Sequence, residues 1–227
     1  MKEKSARLTL IVAVIAYFTL QFAGGADHNR SRMINVLALG DSLTDGFGLT
    51  RKEAYPALIA EKMRTANYRF EVINAGESGD TSADGLSRLP PLLQRKKIDV
   101  LILALGINDA FRGVPIEQMQ SNLQTIIDQT RARHPGVSIV IAGMQFPIPT
   151  GNDYVSAFEK TFVTLAEKNH AALVPYLLEG VAGNPELNLP DMIHPNANGQ
   201  RILADNVWRV LEPVLVKISA TSRSEKR

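Results

Sequence analysis

Val36-Leu37-Ala38-Leu39, followed at once by Gly40-Asp41-Ser42-Leu43, is an apolar run without polar alternation that stops at a glycine turn. Such a run suits a strand covered on both faces, as in a parallel sheet, rather than one with a wet side. Four more runs of the same kind follow: Val72-Ile73, Val100 to Leu105, Ile139 to Ala142 and Leu173-Val174. Between them lie segments of helical period. Their stripes are Leu58/Ile59/Met63, Leu86/Leu89/Leu93, Ile116/Met119/Leu123/Ile126/Ile127 after Pro115, Phe158/Phe162/Leu165/Ala166, and Ile202/Val207/Val210/Leu211/Val214. Five strands interleaved with five helices predict an α/β fold: a three-layer α/β/α sandwich, flavodoxin-like, around a central parallel five-stranded sheet. Ligands of such sheets bind beyond the carboxyl ends of the strands, so the loops after the strands carry the functional expectation.

The 227 residues, 45% hydrophobic and 21% charged, suit one globular domain. The absence of cysteine excludes a thiol nucleophile, Cys-ligated zinc and disulfides. The formal charge of +2 is unevenly spread. Residues 1–7 carry Lys2, Lys4 and Arg7 against Glu3, and the end carries Lys217, Arg223, Lys226 and Arg227 against Glu225. Residues 8–216 hold 18 basic and 21 acidic residues. An acidic body offers no basic face, and no nucleic-acid partner is expected.

Leu8 to Phe22, LTLIVAVIAYFTLQF, follows the basic start and precedes Ala23-Gly24-Gly25-Ala26. Basic, apolar and then small residues is the order of a signal peptide, and the run is short for a span of about 20 residues. Residues 1–26 are therefore read as a signal peptide cut near Ala26 or as an uncleaved anchor, residues 33–216 as the main domain, and 217–227 as a flexible basic tail. Export to the periplasm or beyond is expected, with membrane contact only through an uncleaved leader.

Four loops hold chemistry. Ser42 stands at a strand-to-helix turn beside Gly40, which presents its hydroxyl and leaves its N–H free; a cap or turn serine is the plainer alternative. Of four histidines, His28 borders the leader and His134 and His170 sit near helix ends. His194 lies in Asp191-Met192-Ile193-His194-Pro195, where Pro195 holds it off the helical conformation. Asp191 can reach the ring Nδ1–H and leave Nε2 as acceptor, unless the pair is a local cap. The Asn74-Ala75-Gly76-Glu77-Ser78-Gly79 loop can turn a backbone N–H inward at Gly76. Asn108, in Gly106-Ile107-Asn108-Asp109, can offer its side-chain amide. An oxyanion donor of this sort is worth about 3 kcal/mol in the transition state.

Together these groups follow strands one, two, three and five on one sheet edge. Gly40-Asp41-Ser42-Leu43, Gly76, Gly106-Ile107-Asn108-Asp109 and Asp191-Met192-Ile193-His194 resemble the motif blocks of the SGNH (GDSL-type) hydrolases. The likeness runs from about Ile34 to Val214 and includes Ser78-Gly79-Asp80-Thr81-Ser82 and Gly85-Leu86-Ser87-Arg88-Leu89-Pro90, which are similar to the exported bacterial thioesterase I/lysophospholipase and arylesterase group. The resemblance implies that Ser42 attacks an ester or thioester carbonyl, His194 takes its proton and Asp191 orients His194. It further implies that the N–H groups of Ser42 and Gly76 and the amide of Asn108 hold the oxyanion. Asp41 and Asp109 brace the loops. Phe146, Pro147 and Ile148, after the fourth strand, are expected to line a groove for the acyl chain of a small ester or lipid-like substrate. No cofactor and no metal are expected, and the chain is read as a monomer. Alternatives are a carbohydrate O-acetylesterase with the same triad, a metal-dependent phosphoesterase using Asp41, Asp45, Asn108, Asp109 and His194, and a non-catalytic envelope-binding protein.

Overall fold

The computed structural model describes residues 33–146 and 153–224. The leader, Pro147, Ile148 and residues 225–227 lie outside the described residues.

Five strands form one parallel sheet in the order β2-β1-β3-β4-β5: β1 (Met33–Gly40), β2 (Arg69–Gly76), β3 (Val100–Ala104), β4 (Ser138–Ala142) and β5 (Ala172–Val174). The helices are α1 (Ser42–Asp45), α2 (Tyr55–Thr65), α3 (Ser82–Arg95), α4 (Ile107–Phe111), α5 (Ile116–Arg133), α6 (Asp153–Lys168) and α7 (Ala197–Ser224). This is the three-layer α/β/α arrangement, and the five expected strands are all present.

Burial follows position in the sheet. Every residue of β3 is buried, and so are the last five of β1, because neighbours and helices cover both faces. β2 is an edge strand, and Phe70, Val72 and Ile73 are only half-buried against the core. The third helix starts with a capping box in which Thr81 and Asp84 exchange side-chain and backbone bonds.

Two expectations need correction. The short helices α1 and α4, read as turns from the sequence, each complete a helical turn directly behind a strand. The last helix runs Ala197–Ser224, so the described part of the expected tail is helical. Its deep stripe is Leu203, Val207, Leu211 and Leu215, and Ser219, one turn further, is buried too. Helical spacing thus carries the buried stripe as far as Ser219.

Leu37 is fully buried at the centre of β1, between β2 and β3. Leu37→Ala should lower the unfolding free energy by about 2–5 kcal/mol, through lost burial and a residual cavity. Urea denaturation checks this, and a loss under 1 kcal/mol would contradict such tight packing.

Candidate active site

Ser42 is the first residue of α1, directly after β1. Asp41 caps that helix, its Oδ1 accepting the Leu43 N–H at 3.0 Å. At this first position the Ser42 N–H has no acceptor within the helix. Its hydroxyl faces His194, with Oγ to Nε2 at 3.0 Å. On the far side of the imidazole, Nδ1 lies 2.7 Å from Asp191 Oδ2. Asp191 Oδ1 accepts the N–H groups of Ile193 at 2.9 Å and of His194 at 3.0 Å, so the loop wraps the carboxylate. The His194 N–H, helped by the imidazole and the Ile193 N–H, lowers the Asp191 pKa to about 2. An ionised carboxylate can only accept, so Nδ1 carries the hydrogen and the neutral ring offers Nε2 to the serine hydroxyl. The loop bends at Met192, whose φ of 60° is left-handed.

Across from the serine, Asn108 stands in α4 and donates one amide hydrogen to Asp80 O at 2.9 Å, which aims the amide and leaves its second hydrogen free of that bond. Asp109 is fully buried and holds Ser82 by its N–H at 2.7 Å and its hydroxyl at 2.5 Å; Asn122 adds a bond to the same hydroxyl. Both Asp41 and Asp109 therefore brace loops, as their sequence context suggests. Arg88 of α3 bridges the two halves, with Nε on Asp80 Oδ2 at 2.5 Å and Nη2 on Gly40 O at 2.9 Å.

Gly76 departs from the expectation. Its N–H donates to Asn74 Oδ1 at 2.9 Å, and a Cβ there would lie 2.1 Å from Asp45 N. This glycine serves close packing of α1 on β2, and its N–H is not available to an oxyanion. Gly79, three residues on, has φ of 90° and no acceptor for its N–H among the described residues, and its neighbour Asp80 is the one that holds Asn108. Ser78 is tied down by Asp45 Oδ2 at 2.9 Å. Gly79 is thus the better placed backbone donor. The signal for it in the sequence is a glycine inside the Ser78-Gly79-Asp80 turn.

Gln200, Phe47 and Phe111 were not foreseen. Gln200, almost fully buried at the start of α7, accepts the Tyr55 N–H at 2.8 Å and donates to Leu43 O at 3.2 Å. Phe47 lays its ring on the His194 imidazole, centroids 4.3 Å apart. Phe146 meets the exposed Phe111 edge-on at 6.0 Å and Phe158 at 5.4 Å. His134 is buried at the end of α5 against Leu93 O. A cleft of about 600 Å³ between α2 and α7, lined by Leu58, Ala204 and Trp208, contains none of the groups around Ser42.

The carboxylates named for a metal do not converge. Asp45 serves Arg51 and Ser78, Asp109 serves Ser82, and Asp41 caps α1. Among the described residues no group of three His, Asp or Glu side chains is set to hold an ion.

This fold, with a serine, a histidine and an aspartate in line at the carboxyl edge of the sheet, is that of an SGNH-type hydrolase. The chain belongs to the GDSL-like lipase/acylhydrolase family, whose model matches residues 38–202. It is 38% identical over 180 residues to esterase TesA of Pseudomonas aeruginosa, covering 79% of this chain and 89% of that one. It is 33% identical to thioesterase 1/protease 1/lysophospholipase L1 of Escherichia coli, with 79% and 84% covered. Among solved structures, a crystal structure of TesA superposes with a TM-score of 0.75 at 37% identity, covering 79% of this chain and 99% of that chain.

Asp41 is fully buried, and its Oδ2 has no partner among the described residues. Burial raises its pKa from 3.8 to about 7. Between those values the folded chain holds a proton that the unfolded chain has lost, so this group makes stability fall as pH rises from about 4 to 7. Asp41→Asn keeps the capping oxygen without the charge. Its stability relative to the native protein should rise across that window by about 1–4 kcal/mol. Urea unfolding at pH 4.5, 6 and 7.5 tests this, and a pH-independent difference would refute it.

Proposed function

We propose that the chain hydrolyses carboxylic esters or thioesters of acyl chains through a Ser42-His194-Asp191 triad and an acyl-enzyme. The observation that carries this reading is the unbroken line from Asp191 Oδ2 through His194 to Ser42 Oγ, at 2.7 and 3.0 Å. Ser42 Oγ attacks the carbonyl carbon while Nε2 takes its proton. The negative oxygen that forms is met by the Ser42 N–H, the Gly79 N–H and the free amide hydrogen of Asn108. Collapse breaks the bond to the leaving oxygen or sulfur, which takes the proton from Nε2. Water then repeats the sequence and frees the acid.

Phe111 and Phe146 support an apolar acyl side, the edge-on pair leading from solvent to the buried Phe158. That surface suits an alkyl chain better than the hydroxyls of a sugar, and Pro147 and Ile148 follow Phe146 directly in the sequence. The order of basic, apolar and small residues in 1–26 supports export, and among the described residues no helix is long and apolar enough to cross a membrane.

Ser42→Ala and His194→Ala should each remain folded and lose nearly all hydrolysis of p-nitrophenyl esters. Asp191→Asn should lower kcat by about 10⁴ through loss of the right tautomer. Circular dichroism with initial rates checks all three, and a rate above a tenth of the native one in the serine variant would end the mechanism. Asn108→Ala should cost about 10²–10³ in kcat with KM little changed, since its amide matters most once the oxyanion forms. An equal loss appearing only in KM would move Asn108 to ground-state binding.

A further inference from the structure

We propose that Arg112 is a positioning residue for the oxyanion donors, acting through the turn that carries Gly79; the proposal rests on the triad reading above. Glu77 to Asp80 form a turn closed by the Asp80 N–H on Glu77 O at 3.2 Å. Its third residue, Gly79, has φ of 90°, whereas Ser78 before it does not have a positive φ. That is the type II pattern, in which the central peptide is turned over relative to type I. The Gly79 N–H belongs to that peptide, so its direction is set by the geometry of the turn.

The turn is held from outside on several sides. Ser78 Oγ donates to Asp45 Oδ2 at 2.9 Å, Asp80 Oδ2 takes Arg88, and Asp80 O takes the Asn108 amide at 2.9 Å. Gly79 O accepts Arg112 Nη2 at 2.8 Å. Arg112 directly follows α4, and its N–H still donates to Asn108 O at 3.1 Å, so Asn108 and Arg112 stand one helical turn apart on the same side. Two side chains of one helical turn thus grip two successive carbonyls, Asp80 O and Gly79 O.

The consequence is geometric. The Gly79 N–H and the Asn108 amide are donors to one oxygen in the proposed mechanism, yet they lie on separate segments of the chain. The bond from Asn108 to Asp80 O is a pivot between those segments, and the parallel bond from Arg112 stops rotation about it. Removing Arg112 lets the Gly79 peptide swing without touching Ser42, His194 or Asp191. The other polar contact of this guanidinium among the described residues is loose: Nη1 lies 3.8 Å from Asp84 Oδ2, and both side chains are about half-exposed. Such a surface pair adds little stability, so the bond to Gly79 O is the contact that gives Arg112 its role. A Cβ on Gly79 would meet only Arg112 Nη2, at 3.8 Å, so alanine fits there in space and is opposed only by the positive φ.

The test measures kcat and KM for p-nitrophenyl butanoate in the full-length protein. Arg112→Ala should lose about tenfold in kcat with KM within about twofold, since the donors are displaced rather than deleted. Arg112→Lys, which keeps a cationic donor, should recover most of the loss. Circular dichroism and the urea midpoint should stay native; Arg112→Met, which keeps the apolar stem, takes the place of Arg112→Ala if they do not. In the Gly79→Ala background, where the direction of the N–H is already lost, Arg112→Ala should cost less than about twofold more. An unchanged kcat in Arg112→Ala, a loss confined to KM, or the full loss repeated in Gly79→Ala overturns the positioning role. Ser42→Ala run alongside separates the two readings. Residual hydrolysis there overturns the nucleophile, whereas an inactive Ser42→Ala together with any of those three outcomes overturns Arg112 alone.

Discussion

The site depends on how closely α1 lies on the sheet. Gly40 and Gly76 are paired across β1 and β2, at the ends of both strands. A Cβ on Gly40 would fall 2.0 Å from Thr44 Oγ1 and 2.9 Å from Ala104 O, and one on Gly76 would fall 2.1 Å from Asp45 N. No side chain fits at either place, so bare backbone lets α1 turn back over the strands. That turn brings Ser42 to the sheet edge with its N–H unused, and it leaves Gly40 O open to the Glu77 N–H at 3.1 Å and to Arg88. The position of Ser42, the proposed nucleophile, is in this sense a packing consequence.

Holding Ser42 against a histidine 152 residues away needs further ties, since the chain itself supplies none. Gln200 supplies one: it joins the carbonyl beside the serine and the start of α2 to the helix that begins just after His194. Arg88 supplies another, linking the carbonyl before Asp41 to the aspartate that holds Asn108. Both side chains bond buried or half-buried groups that would be costly to leave unmade. The two sides of the candidate site are thus located by separate polar residues, Gln200 and Arg88.

The sheet was legible in the sequence because its strands are uninterrupted apolar runs, and parallel strands must be covered on both faces. His194 stood out because the chain has only four histidines, Asp191 because it lies three residues before it, and Ser42 because it follows the glycine turn that ends the first apolar run. The backbone donor was not. Two glycines three residues apart look alike in sequence, and Gly76 loses its N–H only because the Asn74 side chain folds back onto it. Phe47 and Phe111 carried no signal either, because a single exposed aromatic has meaning only through what it touches in space. The end of α7 was misread because Lys217, Thr221 and Ser222 look solvated, while the burial of Leu215 and Ser219 becomes visible only once the helix is packed.

Two aspartates show how one residue type is set to opposite tasks by its surroundings. Asp41 adjoins Ser42, the proposed nucleophile, where a negative charge would oppose an oxyanion; full burial raises its pKa to about 7 and favours the neutral form. Asp191 stands behind the imidazole, where a negative charge would stabilise the imidazolium of the proposed mechanism. Two backbone N–H groups and the ring lower its pKa to about 2 and favour the ionised form. The difference does not come from distance in the chain, since each aspartate lies within three residues of its partner. It comes from burial: Asp41 is closed under α1 against the sheet, whereas Asp191 sits on an open loop that supplies N–H donors. A site that develops negative charge at the carbonyl and positive charge on the base is favoured by that division.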